Sequence, residues 1–290
     1  MSRETLGLLL GLIGVTVFAG TLPFTRLAVE ALSPAFVTAG RAALAGLIAG
    51  AVLLLLRRPW PARASLGRLA LASLCLVGGF PIFTGLAMES VPAGHGGVVL
   101  GILPLATALL SALIAGERPG TAFWVAAVAG AALVVGFTLR EGQGGFETGD
   151  LFLFAAVLSS SLGYVISAQL AQTGLRGWEV ISWLLVIALP ASLPLALWLA
   201  PADATAIPAW SWAGFAYVTL MSQYLGFFAW NAGLALGGIA RVSQVQLLQT
   251  FITLVIAAAL NREPIQPTTW FVAAAVVLLV LAARKASIRR

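Results

Sequence analysis

Two groups of amides, hydroxyls and aromatic rings recur at helical spacing in an otherwise apolar chain. Gln223, Phe227, Trp230 and Asn231 fall at i, i+4, i+7 and i+8, which places them on one helix face. Gln246, Gln249, Thr250 and Thr253 make a second such face shortly afterwards. Earlier in the chain come Phe80, Phe83, Thr84 and Met88, then His95 beside Gly96 and Gly97, then Ser160, Ser161 and Tyr164. These residues can hydrogen-bond and stack, but they supply no paired acids and no cluster of metal ligands. His95 is the only histidine and Cys75 the only cysteine. An enzyme is therefore not expected, and neither a catalytic residue, a metal nor any other cofactor is implied.

What such residues can do is hold a small solute. An amide or hydroxyl buried in hydrocarbon without a partner costs roughly 1–3 kcal/mol, so each must face a cavity or another polar group. A stripe on two successive helices is a candidate cavity wall, and the same groups would also serve as hydrogen-bonding glue between helices. The aromatic and Met residues read more often as packing than as a binding surface. His95, near a helix end, reads as a contact for ligand or water, or as an interfacial residue. Trp230 lies deep in its run and is the better stacking candidate than Trp60, Trp178, Trp210 or Trp212, whose positions fit an interfacial belt.

The elements that must position these residues follow from composition. Of 290 residues, 60% are hydrophobic and 9% charged, and the mean hydropathy is +1.02. Soluble proteins carry about 25% charge, so the solvent of this chain is a bilayer. About 20 apolar residues in a helix cross a hydrocarbon core roughly 30 Å thick. The uncharged runs 5–25, 69–88, 90–116, 119–139, 151–175, 180–202, 204–240, 242–261 and 264–283 each qualify, and 31–56 does so apart from Arg41. Ten transmembrane helices are expected, in an all-α integral membrane fold.

Charge placement orients them. With the N-terminus inside, twelve cations fall on the cytoplasmic side, among them Arg57, Arg58, Arg63, Arg68 and the tail from Arg284. Only Arg26, Arg140 and Arg262 fall outside, so both termini are expected in the cytoplasm. The net charge of +6 then reports topology, and no nucleic-acid partner is expected.

The chain is also written twice. Glu117 and Trp124 recur as Glu263 and Trp270 at one shift of 146 residues. Gly85-Leu86-Ala87-Met88 is echoed by Gly233-Leu234-Ala235-Leu236, and Arg26-Leu27-Ala28 by Gln169-Leu170-Ala171, in the same order. Two repeats are expected, 1–140 and 148–290. Five spans in each forces the second to lie inverted, an arrangement on which secondary transporters build alternating access.

This pattern resembles the drug/metabolite transporter superfamily, in its EamA-type ten-helix form, across the whole chain. The matching features are Pro34 with Arg41 in the second helix, the stretch from Pro104 to Glu117 closing the fourth, and the Glu263 stretch closing the ninth. It departs from the family at Ala19-Gly20, where Trp-Gly is frequent, and at Thr250, which stands where the fourth helix has Pro104. The closest branch is the bacterial aromatic amino-acid exporters. The resemblance implies a multi-pass inner-membrane protein that exports aromatic and other hydrophobic or neutral amino acids. A monomer in the lipid bilayer is expected.

All ten acidic residues lie at or beyond predicted span ends, and the one charge inside a span, Arg41, is expected to neutralise a helix end or pair internally. Without a deep carboxylate, uncoupled facilitated diffusion is expected. The alternative is a proton-coupled exporter of drugs or other small metabolites.

Overall fold

Each charge-free run coils because hydrocarbon offers no partner to a free N–H or C=O, and only a helix satisfies both within one segment. The computed structural model describes residues 2–114, 116, 118–141, 147–243, 245–283 and 288–289. Ten helices run through them: α1 (Arg3–Val29), α2 (Pro34–Leu55), α3 (Arg63–Ser90), α4 (Ala93–Ile114), α5 (Thr121–Glu141), α6 (Thr148–Gln172), α7 (Gly177–Trp198), α8 (209–237), α9 (Gln246–Leu260) and α10 (Pro267–Ala283). By length and composition, seven of the described helical stretches are able to cross a membrane. Among the described residues, strand is confined to a two-residue pair, Arg118–Pro119 against Ile288–Arg289.

Local signals start and stop these helices. Ser33 accepts from the Phe36 N–H and Pro34 opens α2, while Glu147 caps α6 and Glu179 accepts from the Arg176 N–H at the start of α7. The turns after α4 and α9 both contain a left-handed residue, Gly116 (φ 72°) and Arg262 (φ 54°), at the repeat shift of 146 residues. The same turn geometry is thus used in both halves. Glycine adopts it freely, whereas Arg262 holds it at a cost of about 1–2 kcal/mol. Glu117, the partner of Glu263 in the repeat, lies outside the described residues.

The packing has the symmetry of an inverted pair. α1 lies against α8 and, equivalently, α6 against α3; α2 packs on its own counterpart α7, and α5 on α10. At the α1–α8 crossing a Cβ on Gly233 would meet the Gly11 backbone nitrogen at 2.8 Å, so only glycine allows that approach. Both chain ends sit on one face. Glu4 is 2.6 Å from Arg241 after α8, and the strand pair joins the tail to the α4–α5 turn.

Two stretches depart from α geometry in a way no periodicity predicts. Leu74–Gly79 in α3 and Val218–Leu225 in α8 are π-helical, and they start 144 residues apart, within the range of the repeat shifts. Helix-wide turns of this kind leave backbone carbonyls without i+4 partners and concentrate at functional sites.

Candidate functional site

At mid-depth, between the two π-helical stretches, the halves leave a closed space. It is bounded by Phe18 and Thr21 of α1, Arg41 of α2, Leu76 and Phe80 of α3, Leu103 of α4, Tyr164 of α6, Ser222, Gln223 and Phe227 of α8, and Gln249 of α9. Its volume for the centre of a water molecule is about 10 Å³, room for roughly one water. The lining is polar and aromatic for so small a space.

Hydrogen bonds across the space join the halves. The Gln223 amide donates to the Leu76 carbonyl at 3.3 Å, so one π-helical stretch supplies the side chain and the other the acceptor. Gln249 reaches the Phe18 carbonyl at 3.5 Å, and its own Oε1 has no partner. Thr21 and Ser222 hydroxyls meet at 2.8 Å, and the Arg41 guanidinium donates to Ser222 at 3.3 Å. Phe227 packs edge-on to Phe18 with ring centroids 5.0 Å apart and tilts against Tyr164 at 6.1 Å.

Of the residues selected from sequence, Phe80, Tyr164, Gln223, Phe227 and Gln249 line this space. Trp230 does not. It is fully buried beneath the cavity, its ring against Tyr164 at 5.4 Å and Phe18 at 6.1 Å, with Nε1 unpartnered. Asn231 binds the Gly177 carbonyl at the start of α7. The physical reason is length: eight residues of helix advance about 12 Å, so a stripe from 223 to 231 outruns the cavity. Gln246 is buried beside Tyr164, and Thr250 is buried in the wall of α9, outside the lining. Thr253 donates to the Ala19 carbonyl at 2.8 Å and glues α9 to α1. Phe83 stacks on Phe152, Thr84 bonds back to the Phe80 and Pro81 carbonyls of its own helix, and Met88 fills a core with Leu22 and Val157.

His95 belongs to a second site, at the face opposite the chain termini. Its Nε2 lies 2.6 Å from Asp150 Oδ1 and its ring stacks on Phe137. Asp150 also accepts from the Glu147 N–H, closing the first turn of α6. Beside it, the Glu263 carboxylate accepts from the Ala93 and Gly94 N–H groups at 2.8 Å each and pairs with Arg26 at 3.5 Å. A carboxylate from the second half thus caps the N-terminus of α4 in the first, where the helix dipole favours negative charge. Arg26 in turn donates to the Val91 carbonyl at 2.6 Å. These contacts tie α1, α4, α6 and the α9–α10 turn together and seal that face.

One expectation about charge is corrected here. Arg41 neither reaches a helix end nor pairs with an acid: it lies inside α2, and no carboxylate of the described residues comes within 4 Å of it. Asp150 and Glu179 lie at helix starts and are nevertheless buried, 1% and 7% exposed. Helix ends in this fold are capped by side chains that the neighbouring helices cover.

Sequence reasoning missed Phe18, Thr21, Arg41, Leu76, Leu103 and Ser222 as lining residues. Ser222 lies in a π-helical stretch whose altered period hides it, and Thr21 shows no stripe. Arg41 carried a visible signal, a lone cation in an apolar run.

The comparisons with known proteins fit this architecture. The model of the EamA-like transporter family matches residues 5–139 and again 147–283. The uncharacterized transporter YdeK of Bacillus subtilis (strain 168) is 43% identical over 285 residues, covering 98% of this chain and 99% of YdeK. A solved crystal structure of a protein superposes with a TM-score of 0.72 at 19% identity, over 98% of this chain and 99% of that one. At that identity it shows a shared fold and nothing more.

Proposed function

Because the chain belongs to the EamA-like transporter family, and so to the transporters of the drug/metabolite superfamily, we propose that it exports amino acids with aromatic, hydrophobic or neutral side chains by alternating access. The observation that carries this reading is the mid-depth space between the halves, walled by buried amides on one part and aromatic rings on the other. Amides and hydroxyls suit the polar backbone of an amino acid, and the rings suit an apolar side chain. Repeats 1–140 and 148–290 are the bodies that rock about the site. The sealed face, held by Glu263, Arg26, His95 and Asp150, opens as the other closes.

In this reading the protein works as a monomer in the bacterial inner membrane, with both termini in the cytoplasm, and carries out no chemical step. Among the described residues no carboxylate lines the cavity, so in this reading solute and proton have no shared acid to compete for, and transport is uncoupled. The proton-coupled alternative is supported by one observation, the buried His95–Asp150 pair in the seal. Counterflow of labelled phenylalanine, leucine, methionine and threonine in proteoliposomes tests the reading. Exchange of at least one, unaffected by an imposed pH gradient at zero membrane potential, is expected. No exchange of any would remove the amino-acid reading, and strong acceleration by the gradient would replace uncoupled transport with the alternative.

A further inference from the structure

Arg41 is the most unusual residue in the fold. Its guanidinium is 2% exposed at mid-depth in α2, and its Nε has no acceptor. The hydrogen bond it makes, to the neutral Ser222 hydroxyl, is long at 3.3 Å. No described carboxylate pairs with it, whereas Arg26 and Arg58, which lie near helix ends, both have one. A buried cation without a counter-ion is strongly unfavourable, and it persists where something else supplies the negative charge.

The charge lines the same closed space as Phe18, Tyr164, Phe227 and Gln249. We propose that Arg41 is the anion-recognising residue of the transport site and receives the carboxylate of the solute in a two-point guanidinium–carboxylate contact. The planar fork of arginine fits a carboxylate with two parallel N–H···O bonds, and Ser222 with Thr21 holds the fork from behind. The free Gln249 Oε1 stands on the same lining as an acceptor for the solute ammonium group, and the rings take the side chain. The solute class is thereby narrowed to molecules bearing a carboxylate next to an apolar group. Esters, amides and simple amines of the same shape are excluded because each would leave the buried charge unpaired. This assignment rests on the solute-transport reading of the cavity, but not on the solute being an amino acid.

Four probes that share one ring separate the possibilities: phenylalanine, hydrocinnamate (carboxylate without ammonium), phenylalaninamide and phenethylamine. Binding to the purified full-length protein is read by thermal shift, and transport by counterflow in proteoliposomes. Carboxylate-bearing probes are expected to stabilise and exchange at least tenfold better than the other two. Arg41→Met is expected to lose that binding while melting no lower than the wild type without ligand, since it removes an unpaired charge and keeps the volume. Arg41→Lys is expected to retain part of it. Equal handling of phenethylamine and phenylalanine would overturn the carboxylate assignment and leave the amino-acid reading standing. Exchange of hydrocinnamate that depends on Arg41, with no exchange of phenylalanine, would do the reverse. An Arg41→Met protein that fails to fold while Arg41→Lys binds every probe as the wild type does would make Arg41 structural, and binding of no probe at all would also overturn the assignment.

Discussion

The mid-depth cavity and the seal at the face opposite the termini handle charge in opposite ways. In the seal both carboxylates are matched: Glu263 receives two backbone N–H groups and Arg26, and Asp150 meets His95 and receives a backbone N–H. In the cavity the Arg41 cation faces hydroxyls, amides and rings, and two buried polar atoms of the lining, Arg41 Nε and Gln249 Oε1, have no partner. A satisfied network fixes one arrangement, while an unsatisfied one is a place for something to bind. In the transport reading proposed above, the seal is a latch built from the protein's own groups, and the cavity is completed by a solute.

This contrast can be broken by exchanging the kinds of damage. The largest effect is expected from Gln223→Leu, which removes the bond between the two π-helical stretches and a polar wall of the cavity. Counterflow should fall more than tenfold while the detergent-purified protein stays folded. Asn231→Leu, eight residues along the same helix, is expected to lower the melting temperature and leave the solute affinity within about a factor of three, since its bond to Gly177 only packs helices. Equal losses of affinity in the two variants would erase the distinction between lining and packing.

A smaller effect is expected in the latch. Glu263→Gln weakens the cap on α4 and leaves Arg26 without its carboxylate. Labelling of a cysteine at Thr25, which is 1% exposed beneath the seal, should then rise severalfold from the side opposite the termini. Unchanged labelling would mean that the seal is held by packing rather than by charge. His95→Asn, which keeps a donor toward Asp150, is expected to change counterflow by less than about threefold, whereas His95→Ala should resemble Glu263→Gln in labelling. The smallest effect belongs to the turn that presents Glu263: Arg262→Val, β-branched at a left-handed position, should cost about 1 kcal/mol more than Arg262→Gly, read as a difference in melting temperature.

Much of the fold was legible because the bilayer imposes a coarse code. Charges such as Arg57, Arg140 and Glu263 interrupt every apolar run, and the Glu–Trp anchors repeat at one spacing, so helix number and the doubling follow from position alone. The site was legible only in part. Gln223 and Phe227 announced themselves by helical spacing, but Trp230 and Asn231 share that spacing and lie below the cavity. Spacing reports the face of a helix and says nothing of depth against a neighbour. Ser222 and Leu76 were hidden because π-helical turns change the period locally, and their position depends on tertiary packing. Arg41 and Asp150 were visible as charges, yet what surrounds them is decided by which helices meet, and residue type alone does not carry that.

The most direct measurement asks whether solute and cavity coincide. Ser222→Cys in a Cys75→Ala background places one thiol against Arg41, in a protein whose native cysteine is buried outside the lining. With a small thiol reagent in proteoliposomes, modification is expected to abolish counterflow, and saturating phenylalanine is expected to slow modification at least fivefold. Modification at the same rate with and without solute, leaving counterflow intact, would contradict the assignment of the mid-depth space as the transport site.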